Sequence, residues 1–319
     1  MTRALVTGVT GQDGSYLAEQ LLAEGVEVHG LVHPASAERA ATTGVVAHEG
    51  DLEDGEGIRR LILELAPDTI YNLAGISSVA LSWELPGQTA RLTGVAPLEL
   101  MDAALAAQEA SGHEVRFVQA ASAEIFGEAA VSPQDEDTPV RPVTPYGVAK
   151  AMAHQGAQVY RGRGLHAVSC ILYNHESPRR PPHFVTRKIT QGVARISQGR
   201  LDRISLGNLD AERDWGWAPD YVDAMVRAGR YETATDFVVA TGRAHSVRDF
   251  VRAAFARVEI ADWRDLVVVD PAFVRPTDPT VQCGDATRAR ELLDWEPTVT
   301  FEELVGRMVD VDLAETPNP

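Results

Sequence analysis

Short apolar runs along this chain alternate with longer stretches in which apolar residues recur at three- and four-residue spacing. Ala4, Leu5 and Val6 form the first run. Leu17, Leu21 and Leu22 follow at helical spacing, and Gly25 stands where a helix should stop. Residues 26–32 read as a second strand, and later strand-like runs fall at 70–73, 117–120, 168–172 and 237–240. Strands alternating with helices predict an α/β fold, a doubly wound parallel sheet with helices on both faces. After Tyr173 the rhythm lapses. Residues 174–215 are rich in Arg, Pro and His, and residues 245–310 read as short helices and loops.

The turn after the first strand carries the first chemistry. Gly8, Gly11 and Gly14 are spaced GxxGxxG, directly after a strand and at the opening of a helix. Glycine lets the backbone turn tightly and approach a pyrophosphate, while the helix N-terminus presents free N–H groups and the positive end of its dipole. This context makes the sheet Rossmann-type and nominates Gly8, Thr10, Gly11, Gln12, Asp13 and Gly14 as dinucleotide contacts. The expected organisation is a dinucleotide-binding domain over residues 1–173, to which about 217–243 return. A smaller, discontinuous substrate-binding part is expected from 174–216 and 244–319. With no clean linker, the site belongs in the cleft between them. A carboxylate at the end of the second strand would favour NAD and an arginine NADP. The chain has His33 and then Pro34 there, which leans towards NADP and leaves NAD possible. Asp51 and Leu52 could hold the adenine edge, or Asp51 could cap a turn.

Composition narrows the partners. Of 319 residues, 29 are Lys or Arg and 46 Asp or Glu, a net charge of -17, which argues against binding nucleic acid or an anionic membrane. A phosphate-bearing ligand therefore needs backbone amides or a locally basic site, and Arg179, Arg180, Arg187, Lys188 and Arg213 supply one. Cys170 and Cys283 form neither a zinc spacing nor a disulfide framework, so no metal is expected and a reducing cytoplasm fits. No apolar run reaches the ~18 residues of a membrane span. Strand-like sequence begins at once after Met1, Thr2 and Arg3, which leaves no room for a signal peptide.

Tyr146 and Lys150 stand at i and i+4, on one face of a helix expected from about Tyr146 to Tyr160. An ammonium beside a phenol favours the phenolate. A tyrosine so tuned can take a hydroxyl proton while hydride leaves the same carbon. Ser122 and Glu124 follow the strand at 117–121. In extended chain they would face the same way, at the strand end where open α/β sheets bind ligands. Ser122 could bond the reacting hydroxyl, and Glu124 is a candidate base or a helix-start carboxylate.

The glycine loop, Ser122 and the Tyr146/Lys150 pair resemble the extended short-chain dehydrogenase/reductase superfamily. Residues 7–17, 70–74, 144–150, 174–180 (NHESPRR), 184–190 (FVTRKIT) and 213–216 narrow the resemblance to the GDP-mannose 4,6-dehydratases. The resemblance implies catalytic roles for Ser122, Glu124, Tyr146 and Lys150. It implies cofactor contacts at Leu73, Ala74, Gly75, Ser77, His175 and Arg180, and sugar-nucleotide contacts at Asn174, Lys188, Arg213 and Arg275. The implied reaction is a lyase-type dehydration: oxidation at C4, loss of water across C5 and C6, and return of hydride to C6. A reductase or epimerase of the same superfamily, and a cofactor-sensing regulator, are the alternatives. The sequence departs from the family pattern at Ala123, where a serine is usual, at Ile76 and Ser78, and at His33-Pro34, where paired arginines are usual. Asp278 stands where the family has a glutamate. The segment from Ala35 to Val45 is shorter than the family loop that helps grip NADP and build a tetramer. A homodimer is therefore expected as the minimal unit, with a homotetramer as the alternative, packed through Ala151, Met152 and Ala157.

Overall fold

The computed structural model describes residues 2–34, 44–273 and 277–315. The chain runs β1 (Arg3–Thr7), α1 (Gln12–Ala23), β2 (Glu27–Val32), β3 (Val46–Glu49), α2 (Gly55–Leu65) and β4 (Thr69–Asn72). Helices α3 (Val79–Glu84) and α4 (Pro86–Thr89) lead through a π-helical turn, Ala90–Val95, into α5 (Ala96–Ser111) and β5 (Arg116–Ala120). A single 3₁₀ turn, Ala123–Ile125, precedes α6 (Pro145–Gly162) and β6 (His166–Leu172). Then come β7 (Asn174–Glu176), α7 (Val185–Ser197), β8 (Ile204–Leu206), β9 (Glu212–Trp217), α8 (Ala218–Arg230) and β10 (Asp236–Val239). The rest is β11 (Ala244–Ser246), α9 (Val247–Arg257), β12 (Val267–Val269), β13 (Val281–Gln282), α10 (Thr287–Leu293) and α11 (Phe301–Glu315).

Seven strands pair in parallel in the order β10-β6-β5-β4-β1-β2-β3. Strand order reverses between β1 and β4, so their carboxyl ends diverge into the crevice where such sheets bind ligands. The strands are apolar on both faces because both are covered. On one side Leu17 and Leu21 of α1 pack with Val222 and Met225 of α8. On the other, Ile58 and Ile62 of α2 pack with Leu100, Met101 and Ala104 of α5. Thr7 pins the crevice: its hydroxyl donates to Asn72 at 2.7 Å and accepts the N–H groups of Leu73 and Ala74. The Asn72 amide passes the chain on to Gln119 at 2.8 Å.

A separate apolar core lies beyond the sheet, where Trp215, Phe250 and Phe301 contact one another and Ile189, Val193 and Met308 pack with them. Here the structure corrects the reading of short helices and loops over 245–310, where α11 spans 15 residues; α7, in the stretch where the rhythm lapses, spans 13. Both are amphipathic, and their arginines and carboxylates masked the apolar stripe. Arg187 of α7 is buried against Asp312 of α11 at 2.9 Å and reaches Glu315 at 3.1 Å. It locks two helices together and is not part of a phosphate clamp. Arg179 likewise turns to the surface, where it bonds Ser15 and Glu19.

Candidate active site

The glycine loop is built for close approach. Gly8 has φ +71, and a Cβ there would sit 2.9 Å from the Ala74 nitrogen. A Cβ on Gly14 would fall 2.2 Å from the Gly8 carbonyl oxygen. Gly11 caps α1 in extended conformation with no side-chain hydrogen bond, so the first N–H groups of the helix are left for an anion. Bare backbone on one side and a helix dipole on the other fit the pyrophosphate of a dinucleotide.

Gln12 and Asp13 turn away from that cradle to hold β7. The Gln12 amide donates to the His175 carbonyl at 3.1 Å and accepts from the Ser177 hydroxyl at 2.9 Å. Asp13 meets the His175 imidazole at 2.8 Å, and the other ring nitrogen is 2.7 Å from the Tyr173 carbonyl. Burial disfavours both charges, yet their mutual attraction and hydrogen bond prevail, so the Asp13 carboxyl is held below its usual range and His175 above its own. This buried pair joins the glycine loop to the segment that carries Asn174, half-buried in β7, and Arg180. The Arg180 guanidinium is 3.2 Å from Glu176 and stacks 3.7 Å above Phe184. Leu73, Ala74, Gly75 and Ser77 follow β4 along the crevice, and the Ile76 N–H is fixed by Thr93 of the π-helical turn at 3.0 Å. His33 lies 3.5 Å from Asp51 at the edge of the sheet, with Leu52 packed beneath.

Four sequence-nominated residues converge at the carboxyl end of β5. Ser122 caps the 3₁₀ turn, accepts the Glu124 N–H at 3.3 Å and bonds the Tyr146 hydroxyl. Glu124 is thus brought alongside Ser122 by a turn, not by extended chain as expected, and is only 8% exposed. Thr144 caps α6 through the Gly147 N–H and donates its hydroxyl to Glu124 at 3.3 Å. Its neighbour Pro145 needs no partner for a missing N–H, and the buried Ser82 hydroxyl takes up the Tyr146 N–H at 3.2 Å. Glu124 also accepts from the Gln282 amide at 3.3 Å. Thr144 carried a legible signal, a hydroxyl residue before proline at a helix start. Ser82 and Gln282 carried none, since tertiary packing alone brings them here.

The Tyr146/Lys150 pair differs from the expected electrostatics. Lys150 donates to the Ala120 carbonyl at 2.7 Å, with its nitrogen 5.8 Å from the tyrosine ring centroid. Burial dominates both groups. It pushes Tyr146 up to about 12, against the Ser122 hydrogen bond, and brings Lys150 down to about 8. The folded protein therefore binds fewer protons at Lys150 than the unfolded chain between about pH 8 and 10.5, and stability rises with pH across that window. Below it, the buried charge costs on the order of 3 kcal/mol. Lys150→Met should raise the melting temperature at pH 7, with a gain that fades as the pH approaches 10.5. Thermal melts of both proteins from pH 6 to 10.5 check this.

The nucleotide-side candidates are spread along the crevice. Arg213 of β9 is buried, 2.7 Å from Asp278, and donates to the Pro279 carbonyl at 2.9 Å. Lys188 of α7 sits 3.4 Å above the Phe273 ring. Arg275 lies outside the described residues, as does 35–43 of the shortened segment. Among the described residues no cluster of His, Cys, Asp or Glu could hold a metal, and no helix is long and apolar enough to cross a membrane.

Residues 5–308 match the family model of GDP-mannose 4,6 dehydratase. GDP-mannose 4,6 dehydratase 1 of Arabidopsis thaliana is 43% identical over 324 residues, covering 97% of this chain and 89% of that protein. The GDP-mannose 4,6 dehydratase of Homo sapiens is 42% identical over 353 residues, covering 99% and 93%. Among solved structures, the UDP-glucose 4-epimerase of Thermus thermophilus in complex with NAD superposes with TM-score 0.84 at 28% identity, covering 98% of this chain and 99% of that one.

Proposed function

This chain belongs to the GDP-mannose 4,6-dehydratase family, and on that premise we propose that it converts GDP-mannose to GDP-4-keto-6-deoxymannose as a hydro-lyase. The observation that carries this reading is the buried Glu124 carboxylate at the Ser122–Tyr146 site. A reductase or epimerase needs the tyrosine and lysine but no carboxylate there, whereas elimination across C5 and C6 needs a base. Incubation with GDP-mannose should yield a product lighter by one water; unchanged substrate with cofactor-loaded enzyme would contradict it.

When bound, the nicotinamide cofactor takes up hydride from C4 and supplies it again at C6, so elimination of water is the net reaction. Tyr146 removes the C4 hydroxyl proton, with Ser122 holding that oxygen. The ketone so formed acidifies the C5 hydrogen, and Glu124 removes it. Ala123 offers no acid, so Glu124 also delivers its proton to the departing C6 oxygen. Tyr146 gives the C4 hydroxyl proton up to solvent, Glu124 takes one up from solvent and returns it to C5, and no proton is gained or lost overall. Residues 174–216 and 244–319 form the substrate-binding part beside a dinucleotide-binding domain of residues 1–173 and 217–243. In the former, Asn174, Lys188, Arg213 and Arg275 hold the nucleotide. The free thiols of Cys170 and Cys283 suit a cytoplasmic enzyme.

NADP is the proposed cofactor, because His33 and not a carboxylate follows β2. Denaturing the purified protein should release NADP; released NAD would show that the His33–Asp51 pair reads the ribose hydroxyls instead.

A homodimer is the proposed assembly, with α6 in the interface. The outward stripe of this helix is Val148, Met152 and Val159, all exposed. Ala151 and Ala157, expected on that face, are buried in the protein interior. Light scattering should give twice the 34.5 kDa chain mass, since a stable interface buries upwards of ~1,200 Å². A monomer at micromolar concentration would contradict it.

A further inference from the structure

We propose that Gln282 is a positioning residue for the dehydration, holding Glu124 ionised and oriented towards the substrate; this rests on the reading of Glu124 as the base. Gln282 is 2% exposed, and its amide nitrogen is 3.3 Å from Glu124 Oε1. Thr144 donates to the other oxygen, Oε2, at the same distance. Each carboxylate oxygen therefore has a donor, and two donors on opposite oxygens fix the plane of the carboxylate. The Gln282 N–H group cannot accept a proton and does not titrate. Its contact favours the carboxylate over the carboxylic acid, which would have to turn its O–H away from the amide. Ala123, beside Glu124 in the turn, has no side chain that could serve instead.

The backbone around Gln282 is fixed without its side chain. In the β13–β9 ladder Val281 pairs with Glu212 and Gln282 with Arg213. The Gln134 N–H donates to the Cys283 carbonyl at 2.8 Å, and the Asp285 N–H to the Gln134 carbonyl at 2.7 Å. Exchange of the amide thus alters the Glu124 contact while leaving the strand in place. The same ladder carries Arg213, bonded to Asp278 and Pro279 just upstream of Gln282. The strand pair that grips the nucleotide in our reading also sets the base, so a bound nucleotide and a correctly turned Glu124 belong to one rigid unit.

The test compares wild type with Gln282→Leu and Gln282→Glu, the second in case loss of the amide prevents folding. Carboxyl ¹³C NMR of glutamate-labelled protein, with the Glu124 signal assigned by its loss in Glu124→Gln, gives its titration midpoint without substrate. That midpoint should rise by roughly 0.5–1 unit in Gln282→Leu and further in Gln282→Glu. In turnover, kcat should fall about 10-fold with KM nearly unchanged, and the acid limb of the pH profile should move up with the midpoint. A purely packing role would lower the melting temperature and leave both the midpoint and the acid limb where they are. An unshifted midpoint overturns the assignment of Gln282. Failure of the Glu124 reading looks different: Glu124→Gln would turn over, while the NMR midpoint still reports on Gln282.

Discussion

Glu124→Gln should lower the dehydration rate by ~10²–10⁴-fold, the usual contribution of a positioned general base, while cofactor content is unchanged. The side chain is nearly isosteric and stays within reach of Thr144 and Gln282, so the fold should survive. What disappears is an oxygen that can take the C5 proton. The direct readout is exchange at C5. A 4-keto-6-deoxy sugar nucleotide supplied in deuterated water should gain deuterium at C5 with wild type and not with the variant. Exchange at the wild-type rate in Glu124→Gln would remove Glu124 from the mechanism.

Tyr146→Phe should cost a similar ~10²–10⁴-fold in overall turnover but fail at a different step. Without the hydroxyl, the C4 proton has no acceptor and oxidation at C4 does not start. Given the ready-made ketone, however, the variant should still exchange C5, because Glu124 and its two donors are intact. The two variants thus separate the two proton transfers, and an identical exchange defect in both would mean that one group performs both. The ring of Tyr146 is buried and its hydroxyl bonds Ser122, so the phenylalanine variant should melt within a few degrees of wild type.

Much of this was legible in the sequence for physical reasons. Parallel strands buried on both faces read as continuous apolar runs, so β1, β2, β4, β5, β6 and β10 stood out. β3 did not, because Val46–Glu49 forms the sheet edge and is largely exposed. The glycine loop and the Tyr146/Lys150 pair are local patterns whose spacing survives without the fold. Side-chain direction was less legible. Arg187 lies in a basic stretch yet points into α11, and Ala151 and Ala157 lie on the inward side of α6, three and nine residues on from the exposed Val148. The electrostatics of Tyr146 were misjudged because burial, invisible in the sequence, is the largest influence on the phenol, and Lys150 turns to the Ala120 carbonyl. Gln282 stands on a two-residue strand 158 positions from Glu124, and no local pattern announces such a contact.

Internal hydride transfer is the central claim, and GDP-mannose carrying deuterium at C4 tests it most directly. The product should have lost one water and should carry the label at C6, with none in released cofactor or solvent. A product that keeps its water, or a label that leaves the sugar for free reduced cofactor, would contradict the account.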